Sequence, residues 1–313
     1  MISDEKLFMI AVAYYANGRR QQDIAEELGV SHVQIGKYLK LARQRGIVEI
    51  SINPPYVDSD DAKKYCTLMK SVFGLENLVL VPTASSLEQT HAFLVRGAAK
   101  HILENWPNRP LNVGIGMGRT MAGIARTKIS YADKRPGWKI YPVPNYYGRH
   151  LSKGREEYFS YDGMADDFCR NWGGKADRSF MDDVASGNAS AEAAGKYWSR
   201  LNLLIGGVGV PFPLNPSARV SMFGEQTAAA IGGKDICGDY LNYHLDSDGN
   251  RIEPVFHNPG HMSWDQICAV PHRMAVASGL HKVPGIVSLL KSKTVNTLVT
   301  DTETAKRALE YSL

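Results

Sequence analysis

Residues 21–40 constrain this chain more than any other stretch. The run is Gln21-Gln22-Asp23-Ile24-Ala25-Glu26-Glu27-Leu28-Gly29-Val30-Ser31-His32-Val33-Gln34-Ile35-Gly36-Lys37-Tyr38-Leu39-Lys40. It reads as two short helical segments, residues 21–28 and about 32–45, joined by a tight turn. Ala25 is small enough for its helix to cross close to a preceding one, whose apolar face is Leu7, Ile10, Ala11 and Tyr14. Gly29 suits a left-handed turn position, and Val30 plugs the small core there. Ser31 can cap the second segment. Ile35 and Leu39, four apart, share its inward face. His32, Gln34, Lys37, Tyr38 and Lys40 are left for solvent or a partner. This is the spacing of a helix-turn-helix.

Charge placement tells which partner such a unit suits. Between Ser31 and Gly46 stand Lys37, Lys40, Arg43 and Arg45 with no acid, while Asp23, Glu26 and Glu27 stay on the preceding segment. Arg19 and Arg20 precede the unit and can clamp phosphates. An ordinary helical hairpin with a solvated basic face is the plainer alternative; a second helix of one charge sign favours DNA. The expected contact set is Arg19, Arg20, Ser31, His32, Gln34, Lys37, Tyr38, Lys40 and Arg43. Gln34 suits an adenine edge and Lys37 a guanine edge, with phosphate contact or solvation equally open for each. Residues 48–52, Val-Glu-Ile-Ser-Ile, alternate like a short strand or wing, which makes the unit winged-helix-like. Pro54-Pro55 then stiffens the link. The expected domains are 1–57 and 58–313.

The remainder alternates strands and helices. Helices are expected over 60–73 and 87–105 and from about 120. Strands are expected over 78–81, 111–115, 139–143, 201–205, 267–270, 274–277 and 295–300, with a closing helix capped by Asp301 or Thr302. That alternation implies an α/β domain with a mainly parallel sheet covered on both faces. A chain of 313 residues with 44% hydrophobic and 22% charged residues supports two globular domains. The net charge of +4 permits nucleic acid without demanding it. The 4 cysteines, Cys66, Cys169, Cys237 and Cys268, are scattered, as expected of reduced, mostly buried thiols. Asp4, Glu5 and Lys6 interrupt any early apolar run, and no stretch reaches membrane-spanning length. A cytoplasmic protein is expected.

Five segments carry a family resemblance. Leu39 to Val48 resembles the end of the DNA-binding domain of the SorC family of sugar-responsive regulators. Gly114-Ile115-Gly116-Met117-Gly118-Arg119-Thr120-Met121 resembles that family's glycine-rich ligand loop, and Leu203 to Gly209 its second strand-loop. Ile231 to Gly238 resembles its Gly-Asp-Ile segment, with Lys234 where glycine is common. Residues 276–282 and 298–305 resemble its closing region, with Ser278 at another common glycine. The resemblance implies a sensor domain related in fold to sugar-phosphate isomerases, usually without their catalysis. It also implies a homo-oligomer, dimer or tetramer, that binds operator DNA and a sugar, polyol or sugar-phosphate effector controlling a carbohydrate or polyol operon.

The physical reading of the loop stands beside it. Gly116 and Gly118 follow a strand and open a helix, where bare amides favour an anion; close strand–helix packing explains such glycines as well. Arg119 adds a cation and Thr120 a hydroxyl. Lys282, after another strand and glycine, can neutralise the same anion or stand as a surface lysine. Asp235 can accept from sugar hydroxyls or cap a turn. The expected effector set is Gly116, Met117, Gly118, Arg119, Thr120, Gly207, Asp235 and Lys282. His257-Asn258-Pro259-Gly260-His261, with His244, His272 and His281, is read as loop and core histidines rather than a metal site, and the tryptophans as packing. No cofactor and no catalytic residue is expected: nothing marks a nucleophile, base and orienter. The alternative is a sugar-phosphate isomerase-like enzyme with an N-terminal helical domain.

Overall fold

The computed structural model describes residues 2–48, 50, 56–106, 109–143, 161–186, 190–210, 225, 229, 232–252 and 261–312. Two compact units divide the chain, Met1–Ile52 and Asn53–Leu313.

In the first unit, the Ser3 side chain accepts from the Lys6 amide at 3.3 Å and starts α1 (Asp4–Ala11). The helix then widens over Val12–Ala16 into a π turn. α2 (Gln21–Leu28) ends at Gly29, which takes φ +63° and returns its amide to Glu26. α3 (His32–Gln44) begins at Ser31, whose hydroxyl accepts from the Gln34 amide at 3.2 Å. Leu7, Ile10, Ala11, Ile24, Ala25, Ile35, Leu39 and Ala42 form one buried cluster. The expected wing at 48–52 falls largely outside the described residues.

The second unit is a wound α/β layer. Its elements in order are α4 (Asp60–Phe73), β1 (Asn77–Val81), α5 (Leu87–Asn105), β2 (Leu111–Ile115), α6 (Arg119–Arg126), β3 (Trp138–Pro142), α7 (Tyr161–Trp172), β4 (Lys175–Ala176), α8 (Ser179–Ser186), α9 (Ala191–Trp198), β5 (Leu203–Gly209), β6 (Gly238–Tyr240), β7 (Tyr243–Leu245), α10 (Trp264–Ala269), β8 (His272–Val276), α11 (Val283–Lys291), β9 (Thr297–Asp301) and α12 (Thr302–Ser312). The main sheet runs β1-β9-β8-β5-β2-β3-β4 and every neighbouring pair in it is parallel. β6 and β7 form an antiparallel hairpin on the end of β5.

Side chains alternate between two cores, as strand geometry requires. Leu203 and Ile205 of β5 join Val113, Ile115, Met274 and Val299 under α5, α6 and α7. Leu204, Ala275 and Leu298 face the opposite core with α4, α11 and α12. Trp138, Phe168 and Trp172 stack at the outer end of the first core, and Trp172 donates its ring N–H to the Ile124 carbonyl at 2.9 Å.

Some expectations are corrected. Residues 267–270 are not a strand. Ser263 and Gln266 close a reciprocal capping box that starts α10, and the strand begins at His272. β5 starts two residues later than expected and runs on to Gly209, so Gly207 is a strand residue paired with Val276. The thiols are not mostly buried: Cys237 is buried, Cys66 and Cys169 are half-buried, and Cys268 is exposed. No helix among the described residues is long and apolar enough to cross a membrane.

Candidate functional site

Two sets of side chains present chemistry, one in each unit. On α3, burial of Ile35, Leu39 and Ala42 turns the opposite face outward. Val33, Lys37 and Lys40 follow at helical spacing on that face, and all are exposed. His32 and Arg43 are exposed as well. Gln34 and Tyr38 are half-buried, and Tyr38 packs against the unit's core. Ser31 spends its hydroxyl on the helix cap.

The two arginines before α2 are already engaged. Arg20 pairs with Asp23 through both Nε (3.1 Å) and Nη2 (2.8 Å), and Arg19 with Glu27 at 2.6 Å. The hydrogen bond from Arg20 holds the Asp23 carboxyl below its ordinary range. Lys37 and Lys40 have no ion pair among the described residues. Val33, 55% exposed, was missed by charge-based reading; its position four residues before Lys37 is the signal that could have found it.

The second set lies at the carboxyl ends of the parallel strands. From β2 the chain moves to β3 on one side, and from β5 it moves to β8 on the other. The strand order therefore reverses between β2 and β5, a topological switch point whose carboxyl end is the usual ligand position in open α/β sheets. The Gly116 amide reaches the Ile205 carbonyl at 2.8 Å, so the loop leaves β2 tethered to β5. Gly118 caps α6 at φ +110°, a conformation that favours glycine. A β-carbon at Gly118 or Gly207 would meet nothing within 4 Å, so both glycines face open space.

Arg119 is exposed and has no ion pair among the described residues. Thr120 is buried, with its hydroxyl 3.3 Å from His91 Nε2. Met117 packs partly against the α5–α6 core. Lys282 Nζ donates to the Val208 carbonyl at 2.8 Å. Burial pushes the Lys282 ammonium below its ordinary range, Asp239 opposes that shift, and Arg119 adds to it. Burial, then the charges of Arg119 and Lys282, lower His91; the same three causes, with Lys282 ahead of Arg119, lower His281. Burial lifts the Asp239 carboxyl to about 6, with Lys282 drawing it back.

The structure thus brings Arg119, Thr120 and Lys282 into one electrostatic neighbourhood and adds His91, His281 and Asp239. Asp235 is not brought into it. That residue is exposed before β6 and makes no hydrogen bond or ion pair among the described residues.

Of the other histidines, His244 is buried, and burial depresses it to about 4. His261 Nε2 lies 3.0 Å from the Leu241 carbonyl, and His272 meets Trp106 edge-on. His257 lies outside the described residues. Among the described residues no three potential ligands converge on a metal position.

The comparisons with known proteins match this layout. A family model described as "Putative sugar-binding domain" matches residues 183–310. The sorbitol operon regulator of Klebsiella pneumoniae is 20% identical over 306 residues, covering 96% of both chains. The transcriptional regulator LsrR of Enterobacter sp. (strain 638) is 23% identical over 317 residues, covering 99% of this chain and 94% of that one. Among solved structures, the full-length sorbitol operon regulator SorC from K. pneumoniae superposes with a TM-score of 0.65 at 20% identity, covering 99% of each chain. A transcriptional regulator from Streptococcus pneumoniae TIGR4 gives 0.65 at 19% identity, covering 80% of this chain and 97% of that one. At such identities the structural likeness shows a shared fold.

Proposed function

Because the chain belongs to the SorC family of transcriptional regulators, we propose that it is a ligand-responsive DNA-binding regulator of a carbohydrate or polyol operon. In this reading α3 enters the major groove, with Lys37 and Lys40 facing DNA. Val33 is the apolar contact suited to a thymine methyl. The crevice at the ends of β2 and β5 holds the effector. The observation that carries the reading is the convergence of Arg119, Lys282 and the bare loop after β2 on a switch point.

The anionic or most polar end of a sugar, polyol or sugar phosphate lies against Gly118, Arg119 and Thr120, while the Gly116 amide is held by the Ile205 carbonyl and packs the loop. Lys282 supplies further charge. Such contacts are charge-assisted hydrogen bonds. The protein acts inside the cell as a homo-oligomer, because a helix-turn-helix reads paired half-sites as a dimer. In this reading the site binds its ligand without turning it over: the relatives are named as regulators, and Lys282 is already engaged by the Val208 carbonyl.

The experiment is a thermal-shift screen of the full-length protein with sugars, polyols and their phosphates, followed by operator binding with the best stabiliser. A ligand that favours the native state raises the melting temperature. It changes operator affinity only through its own differential affinity for the DNA-bound form, and DNA must change its affinity equally in return. Arg119→Ala should raise the effector dissociation constant at least tenfold and leave ligand-free operator binding intact. Effector binding unchanged in Arg119→Ala, Thr120→Ala and Lys282→Ala alike would place the pocket elsewhere.

A further inference from the structure

The end of β5 carries two opposite charges that do not close on each other. Gly209, its last residue, pairs with Asp239 of β6 in antiparallel register. The Asp239 side chain folds across the Gly209 α-carbon, where a β-carbon would overlap the carboxylate and stand 2.6 Å from Cγ. Glycine is what gives that carboxylate room. One residue earlier, the Val208 carbonyl holds Lys282 Nζ.

Asp239 and Lys282 act on each other electrostatically. Yet no carboxylate oxygen lies within 4.0 Å of Nζ, and no donor among the described residues hydrogen-bonds the Asp239 carboxyl. Asp239 is half-buried, and a carboxylate partly withdrawn from water without donors costs the fold stability. A group held at such a cost is a candidate functional group.

We propose that Asp239 is the hydroxyl-reading group of the effector site, accepting hydrogen bonds from two adjacent hydroxyls of a polyhydroxylated ligand whose polar end lies toward Arg119 and Lys282. The assignment rests on the crevice being the effector site. An ionised carboxylate is acceptor-only, and its two oxygens can take two O–H donors at once. With its carboxyl at about 6, Asp239 is ionised at neutral pH. A ligand with a free vicinal diol satisfies it, and inorganic phosphate does not. A site built to hydrogen-bond a hydroxyl rejects an analogue lacking one, because the buried acceptor is then left unpaired. Sequence reasoning had given this role to Asp235, which the fold leaves exposed.

Two measurements on the full-length protein test it. The first needs no ligand. Asp239→Asn removes an unpartnered charge at nearly constant shape, so the variant should melt about 2–4 °C above wild type near pH 8. A lower melting temperature would mean that the carboxylate is a structural partner of Lys282, and the proposal would fall. The second is calorimetry with glucose 6-phosphate, sorbitol 6-phosphate, sorbitol and inorganic phosphate as probes. Asp239→Asn should weaken the tightest hydroxylated probe at least tenfold and leave inorganic phosphate unchanged, while Asp235→Asn alters neither. Wild-type affinity for the hydroxylated probes in Asp239→Asn overturns the proposal. If Arg119→Ala still weakens them, only the role of Asp239 is lost. If neither variant weakens them, the crevice itself is wrongly assigned.

Discussion

His91 Nε2 stands 3.3 Å from the Thr120 hydroxyl, linking the start of α5 to the start of α6 beside Arg119. Burial and the charges of Arg119 and Lys282 hold this imidazole below its ordinary range. It is therefore neutral at pH 7, and an anion set between the two cations would raise its proton affinity again. Sulfate is a clean probe, since its charge is constant over this range. Sulfate binding should take up a proton and tighten as pH falls below neutrality. Calorimetry in two buffers of different ionisation enthalpy reads the uptake. His91→Gln should abolish it; unchanged uptake would assign the proton to His281.

Asp239 sets a second pH dependence of opposite origin. Its carboxyl is raised to about 6, so the folded state favours the protonated form. The resulting stabilisation is fully present below about pH 4, the unfolded value, and is lost as pH rises through about 6. Ligand-free wild type should lose stability across that window, and Asp239→Asn should lose less. Denaturant midpoints for both proteins at a series of pH values check this.

In the helix-turn-helix, Gly29 has φ +63° and nothing within 4 Å of a built β-carbon. Gly29→Ala should therefore cost only backbone strain, about 1 kcal/mol. Gly29→Asn should cost less, since asparagine tolerates the left-handed region. Ser31→Ala removes the cap of α3 and should cost about 1 kcal/mol. The first 52 residues contain no tryptophan, so amide hydrogen exchange in α2 and α3 is the suitable readout.

Ion pairing separates the basic residues of the same unit. Lys37 and Lys40 are unpaired among the described residues, whereas Arg20 is held by Asp23. Lys37→Ala or Lys40→Ala should reduce the salt dependence of operator binding by about one unit in the log–log slope if each meets a phosphate. Arg20→Ala should change it less, because Arg20 must first leave Asp23. Fluorescence anisotropy over a salt series measures both. An equal loss for Arg20 would show that the pair opens on DNA.

What could be read from sequence was local. Gly29 and Ser31 fix the ends of α2 and α3 within a few residues of themselves, so both helices were legible. The strand Leu111–Ile115 was legible because its bounding Pro110 and Gly116 are adjacent. The β6–β7 hairpin was not. Its turn places Leu241 and Asn242 at φ +47° and +73° without a glycine, so the usual turn signal is missing. The apolar run after Asp265 fits helix or strand by pattern, and only the Ser263–Gln266 capping box decides it. In the crevice, Arg119, Thr120 and Lys282 announced themselves beside glycines. His91 and Asp239 did not, since His91 arrives from another helix and Asp239 through its register with Gly209. Tertiary pairing of that kind leaves no mark in nearby sequence.

β1 pairs with β9 over five residues, Asn77–Val81 against Thr297–Asp301, across 220 positions of chain. A ribosome supplies those partners in order. The apolar edge of β1, with Val81 fully buried in the finished sheet, has no neighbour on that side until Asp301 has been made. The compact unit Met1–Ile52 has all its contacts much sooner. At ordinary elongation rates the interval is on the order of tens of seconds. Each newborn molecule therefore completes its helix-turn-helix before its sheet can close, and until then the unpaired edge of β1 is the place most open to pairing with another chain.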